Sequence, residues 1–359
     1  MAENKNVQFN ASQILDKVVN ENASDLHLSV GVAPMLRVNR KLFPIKGMPP
    51  LSIADVEYFL EQVLEPDQKD IFEVNRELDF SVALGNKARF RVNAFYQKGY
   101  PSVALRHIPL IVPSLEDLNL PAIMNSLTDL RQGLILVVGP TGHGKSTTIA
   151  SMVDRINQTR AEHIITVEDP IEYIFTNKKS LVEQREMHTD TSSWDSALRA
   201  VLRQDPNIVV VGEMRDQETM RAVLNVAETG HLVFATLHTN SASQTVERII
   251  STFPENKRSE VRLQLSQIFE AVISLRLVPN KDGTGVWPAT EIMLASEAVK
   301  NLIREGKTQH LDNVISTSSE LGMSPLERSL AQLVSEDKID ADVAIKFASR
   351  PEEFRRLLK

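Results

Sequence analysis

From residue 133 onward, short apolar runs alternate with amphipathic stretches. GLILVV at 133–138, HIITVED at 163–169, NIVVVGE at 207–213 and HLVFATL at 231–237 are almost wholly apolar at their centres, as strands covered on both faces should be. Between them, Thr147 to Ile156 and stretches at about 192–204 and 217–228 carry helical patterning. This alternation predicts a largely parallel α/β core with crossover helices. From about residue 256 the chain reads as mainly helical, a bundle beside that core.

The first hundred residues have a different texture. Ile14, Leu15, Val18 and Val19 mark one face of a short helix, and DLHLSV at 25–30 alternates like a strand. Pro34 interrupts before a second short strand at Met35 to Val38. Val56, Phe59, Leu60 and Val63 recur at helical spacing within Ala54 to Leu64. Leu78 to Val82 and Arg89 to Phe95 alternate about a turn at Gly85-Asn86, an antiparallel pair that Val103 to His107 extends. Ile108 to Pro121 holds three prolines and no period. The expected organisation is a small α+β domain over 1–107, a linker over 108–121 and a larger α/β domain over 122–359 that includes the helical C-terminal region.

Composition narrows the class. The 359 residues are 42% apolar and 24% charged, ordinary for a globular chain. Lys and Arg number 40 against 47 Asp and Glu, a net charge of −7, which gives a nucleic-acid partner no support. No cysteine is present, so disulfides, thiolate zinc sites and cysteine nucleophiles are excluded. The N-terminal segment is too polar for a secretory signal, and no apolar run approaches the roughly 20 residues needed to span a bilayer. A cytoplasmic location is expected, with peripheral attachment to a membrane machine left open.

The strongest chemical signal is GPTGHGKS, Gly139 to Ser146, which matches G-x4-G-K-[ST] in full between an apolar strand and a helix. Gly139, Gly142 and Gly144 let backbone amides turn inward around a phosphate, and the new helix presents its positive end. Lys145 reaches the β- and γ-phosphates of ATP, and the Ser146 hydroxyl ligates Mg²⁺. Pro140, Thr141 and His143 complete the loop and Thr147 continues it into the helix. His143 is expected to point outward from the loop tip.

ATP hydrolysis also needs acids near the metal and the attacking water. Glu213 ends the strand NIVVVGE on the edge that faces the phosphate loop, which suits a Walker-B role as an indirect metal ligand. Arg215 and Asp216 follow, either as an internal ion pair or in contact with nucleotide. Glu168, Asp169 and Glu172 crowd the end of HIITV. Glu172 is favoured as the group that polarises water, although spacing alone does not separate it from Glu168. His238 ends the next strand on the same edge and suits a γ-phosphate sensor. His231 starts that strand on the opposite edge and suits a domain or subunit contact. Arg89 and Arg91 alternate on one strand and Arg106 lies on its neighbour, a set that suits a phosphate clamp.

Together these segments resemble the bacterial secretion and pilus ATPases, most closely the branch that retracts type IV pili. ASDLHL at 23–28 and ARFRVNAF at 88–95 match the N-terminal domain of that family. GPTGHGKSTT is similar to its Walker A segment, ITVEDPIEY at 165–173 to its Asp box, VVGEMRD at 210–216 to its Walker B segment and ETGHLVFATLHTNSA at 228–242 to its His box. NLIREGK at 301–307 resembles the C-terminal signature linked to retraction. The resemblance implies a PAS-like N-terminal domain, a RecA-like P-loop core and a helical C-terminal region. It implies homo-hexameric rings with ATP and Mg²⁺ between subunits, Glu172 as catalytic glutamate and His231 and His238 as the His-box pair. Arg89, Arg91 and Arg106 fall where the family's nucleotide-facing arginines lie. The implied partners are the inner-membrane platform protein, the pilin filament indirectly and a paralogous retraction ATPase. The implied function is pilus disassembly in twitching motility.

The family's extension and secretion ATPases carry a four-cysteine zinc module, which this chain lacks. VVGEMRD resembles one of the two retraction subtypes, whereas AFYQ at 94–97, DTSSW at 190–194 and LVPNKDGTG at 277–285 resemble the other. His143 replaces the usual Ser or Thr, and Val299-Lys300 stands where Ile-Arg is common. Rival readings are an assembly or secretion ATPase, a nucleic-acid translocase, which the acidic balance does not favour, and a non-hydrolysing nucleotide switch, which would not need both Glu172 and Glu213.

Overall fold

A computed structural model describes residues 10–38, 41–85, 87–108, 111–283 and 285–359. Asn86, half of the expected Gly85-Asn86 turn, lies outside the described residues. The chain divides into two compact units, one up to Ile111 and one from Val112. Among the described residues, no helix is long and apolar enough to cross a membrane.

The first unit runs α1 (Ala11–Asn20), β1 (Asp25–Ser29), β2 (Met35–Val38), β3 (Lys41–Pro44), α2 (Ile53–Val63), α3 (Pro66–Asn75), β4 (Glu77–Leu84), β5 (Ala88–Gln97) and β6 (Tyr100–Ile108). Its strands form one antiparallel sheet in the order β3-β2-β1-β6-β5-β4. Period-2 alternation splits the sheet into two faces. Ala88, Phe90, Val92 and Ala94 of β5 pack with Ile14, Val18, Phe59 and Phe72 from the three helices, while Arg89, Arg91 and Asn93 occupy the opposite face. Helix starts follow from capping chemistry: Ser52 and Asp55 form a reciprocal box at α2. The patterning did not reveal β3, an edge strand exposed at every position, or α3.

The second unit contains α4 (Ile123–Leu127), β7 (Gly133–Val138), α5 (Lys145–Thr159), β8 (His163–Glu168), β9 (Leu181–Glu186), α6 (Trp194–Val201), β10 (Ile208–Val211), α7 (Gln217–Glu228) and β11 (Leu232–Leu237). There follow α8 (Ala242–Thr252), α9 (Arg258–Ile268), β12 (Phe269–Pro279), β13 (Val286–Leu294), α10 (Glu297–Glu305), α11 (Leu311–Thr317), α12 (Leu326–Ser335), α13 (Ala341–Ala344) and α14 (Pro351–Leu357). The sheet order is β13-β12-β7-β11-β10-β8-β9, parallel throughout except for β13. Every residue of β7, β10 and β11 is buried. The reason is visible in β7: Leu134, Leu136 and Val138 enter a core with α6 to α11, while Ile135 and Val137 enter a second core with α4 and α5. Both faces are covered, so a strand must be apolar at consecutive positions.

One expectation needs correction. The segment after 256 is not simply helical, because β12 and β13 form a long hairpin whose first strand lies parallel to β7. FEAVISLRLV is apolar on both faces, and such a run has no period that separates strand from helix. Pairing with β7 decides it. A bulge between Phe269 and Ala271 turns Phe269 and Val272 to one core and Ala271, Ile273 and Leu275 to the other. Leu115, inside the segment expected as linker, is buried in the core with α5.

Candidate active site

The phosphate loop leaves β7 and enters α5 with Gly139, Gly142 and Gly144 all at positive φ. Only glycine adopts such angles without strain. At Gly139 (φ 142°) a Cβ would also stand 2.6 Å from Leu275 O, so two independent constraints hold that position. The Lys145 side chain is buried and turned into the loop: Nζ donates to Gly139 O at 3.0 Å and Pro140 O at 3.1 Å. Burial lowers its pKa, opposed by the nearby charges of Glu213 and Glu172. A desolvated ammonium inside a glycine-lined cradle fits the phosphates of a nucleotide.

Three parallel strands deliver their ends to this loop. Glu213, just past β10, places Oε1 2.9 Å from His238 Nε2 and Oε2 2.9 Å from Arg215 Nε. His238, just past β11, has Nδ1 3.4 Å from Lys145 Nζ and 3.4 Å from Thr141 Oγ1. An ammonium can only donate, so Nδ1 accepts and the ring proton sits on Nε2, directed at Glu213. Lys145, His238 and Glu213 thus form one chain of contacts. Arg215 pairs with Glu213 rather than with Asp216, which caps α7 by accepting from Thr219 N at 2.8 Å.

The acids after β8 divide by environment. Glu168 accepts from Thr166 Oγ1 at 2.6 Å, Gln184 Nε2 at 3.2 Å and Glu172 N at 3.4 Å. Burial pushes its pKa up to about 7. Glu172 is exposed, at the bend after Pro170. Gln184 on β9 also donates to Tyr173 O at 2.7 Å, and the Tyr173 hydroxyl donates to Thr147 Oγ1 at 3.1 Å. The acidic loop is thereby tied to the start of α5. Thr147 Oγ1 accepts in this contact and keeps its own O–H free to donate.

His143 does not point away from the protein: Nδ1 accepts from Leu277 N–H on β12 at 2.9 Å. His231 does not need a subunit contact to account for it. Its Nδ1 lies 3.0 Å from Val226 O and 3.0 Å from Thr229 Oγ1, closing the C-terminal end of α7. In the first unit, Arg91 and Arg106 are direct cross-strand partners and Arg106 opposes Asp25. Arg106 Nε is 3.1 Å from Asp25 Oδ1, Arg91 Nε 3.9 Å from Asp79 Oδ1, and Arg89 donates to Ser81 Oγ at 2.8 Å.

The family model described as "Type II/IV secretion system protein" matches residues 2–311. The chain belongs to this family. It is 44% identical over 343 residues to the type IV pilus retraction ATPase PilT of Pseudomonas aeruginosa, covering 96% of this chain and 99% of that protein. Identity to the type IV pilus ATPase PilU of the same organism is 37% over 347 residues, covering 97% and 91%. The crystal structure of the pilus retraction motor PilT with bound ADP superposes with a TM-score of 0.90 at 42% identity, covering 96% of this chain and 98% of that one. The fold is that of the RecA-like secretion and pilus ATPases, and this chain is an ATPase of the PilT/PilU type.

Residue patterning missed the part of this ATPase that closes the loop from the β12 side. Arg276 is buried beside Gly139, and Glu291 on β13 accepts from Ala242 N at 2.6 Å. A charged residue inside an apolar run was the available signal. Burial pushes the Glu291 pKa from 4.5 up to about 7; Asp312 and Glu327 also raise it, and Arg350 opposes. Between those values the unfolded chain releases a proton that the folded chain keeps, so stability falls as pH rises through the window and then levels. Glu291→Gln keeps an acceptor for Ala242 and removes that cost, roughly 3 kcal/mol at most. The variant is expected to unfold at a higher temperature than the parent at about pH 8 and at nearly the same temperature at about pH 5. An equal offset at both pH values would contradict the buried, proton-holding carboxyl.

Proposed function

We propose that this chain is the subunit of a ring-shaped, homo-hexameric motor that couples Mg²⁺-dependent ATP hydrolysis to type IV pilus retraction. The observation that carries the reading is the Lys145–His238–Glu213 chain at the ends of three parallel strands, in a fold shared along nearly the whole of a retraction motor. Gly139 to Thr147 bind the triphosphate and Lys145 holds its outer phosphates. Ser146 and, through water, Glu213 are the residues that would hold magnesium. That ion supplies charge neutralisation on the phosphate oxygens when bound. Glu172 orients and deprotonates the attacking water, and His238 registers the γ-phosphate beside Lys145.

The first unit, a six-stranded antiparallel sheet with helices on one face, is read as PAS-like. Its open face supplies Arg89, Arg91 and Arg106 to a nucleotide, completing the pocket across a subunit boundary. Work drawn from hydrolysis passes to an inner-membrane platform protein and through it to the pilin filament, alongside a paralogous retraction ATPase. The motor works in the cytoplasm, peripheral to the inner membrane, and no nucleic acid takes part. Deleting the gene in its source organism and imaging surface pili tests the direction of movement. Excess fibres that no longer retract are expected. Bald cells would replace retraction with assembly.

A further inference from the structure

The turn that follows β11 is gripped by both strands of the β12–β13 hairpin. Asn240 O accepts from Ser274 Oγ at 3.2 Å and from Arg276 Nη2 at 2.9 Å, and Asn240 Oδ1 accepts from the same Nη2 at 3.1 Å. Two residues on, Ala242 N donates to Glu291, the cross-strand partner of Ser274. Arg276 Nη1 turns back to Leu275 O at 2.9 Å. A Cβ on Gly139 would stand 3.5 Å from that nitrogen. The guanidinium is therefore packed between the first glycine of the phosphate loop and the residue two positions after His238.

An arginine that is 7% exposed pays heavily in lost hydration, and an apolar side chain would fill the space without that cost. One arm of the fork, Nη2, is spent on both the main-chain and side-chain oxygens of Asn240, while Nη1 is held by Leu275 O. We propose that Arg276 is a positioning residue for hydrolysis: by fixing the Asn240 turn against the phosphate loop, it sets His238 in register with Glu213 and Lys145. This rests on the reading of His238 and Glu213 given above. Arg276 touches no reacting atom in this role. It determines whether the His238 ring bridges the lysine and the acid or swings off the line between them.

A purely structural arginine and a positioning one differ in what their loss does to kinetics. Nucleotide grip belongs to the loop amides and Lys145, which Asn240 does not contact, whereas the register of His238 enters only as the reaction proceeds. In the full chain, Arg276→Gln and Asn240→Ala are each expected to lower kcat for phosphate release about 10–100-fold. Affinity for a fluorescent ADP analogue should stay within about threefold, and the double variant should be no slower than the worse single one. Arg276→Lys, with one point charge in place of a fork, should recover only part of the rate. Asn240→Ala keeps the buried charge and decides the matter if Arg276→Gln does not fold. Ordinary kcat in Asn240→Ala beside a crippled His238→Ala would overturn this inference alone. Ordinary turnover in His238→Ala would overturn the site reading on which it rests.

Discussion

Lys145→Ala is expected to lower ATP turnover by at least about 10²–10³-fold and to weaken nucleotide binding as well. Two losses combine. The loop gives up the cation that meets the outer phosphates, and Gly139 O and Pro140 O give up the ammonium that draws them together. The first loss weakens binding of the ground state and costs the transition state more, because charge builds on the outer phosphate oxygens as the bond breaks, so affinity and kcat should both fall. Lys145 is already stripped of water, which makes its attraction for an incoming anion much stronger than that of a solvated lysine. Phosphate release at saturating Mg-ATP, with a fluorescent ADP analogue as binding readout, measures both. The fold should survive, because β7 and α5 keep every apolar contact that seats them. Turnover within about threefold of the parent would remove Lys145 from the phosphate site.

The parts of this site that were legible in sequence are those whose chemistry is local. Gly139, Gly142, Gly144, Lys145 and Ser146 sit within eight consecutive positions, and the apolar strand before them announces the context. Glu213 and His238 could be placed because β10 is wholly apolar and β11 is apolar but for Thr236, and parallel strands present their C-terminal ends together. Contacts made across the chain were not legible. His143 bonds to a backbone amide 134 residues away, and no local pattern carries that information. Gln184 lies on β9, an edge strand with no buried residue, so neither the strand nor its grip on Glu168 left a hydrophobic trace. Arg276 was hidden inside a segment whose period did not distinguish strand from helix. The arginine face of the first unit falls between these cases. Arg89 and Arg91 share a face by alternation alone, whereas Arg106 joins them only through the β5–β6 register.

Sequence spacing left two acids competing for the attacking water, and the structure gives each a different environment. Glu168 is surrounded by donors from Thr166, Gln184 and the Glu172 amide, and with its pKa near 7 a large share of it is protonated at neutral pH. A general base needs a free lone pair aimed at water and a carboxylate that is ionised when substrate arrives. Glu172 is exposed, lies close enough to Lys145 to feel its charge, and has its main chain held by Glu168. Glu172→Gln is therefore expected to lower kcat about 10²–10⁴-fold with nucleotide affinity nearly unchanged. Glu168→Gln should cost no more than about tenfold, because a neutral amide reproduces the acceptor that Thr166 and Gln184 already use. Single-turnover phosphate release with pre-bound Mg-ATP isolates the chemical step from binding and product loss. Equal losses in the two variants would mean that the pair acts as one shared base, and a reversed order would hand the proton to Glu168.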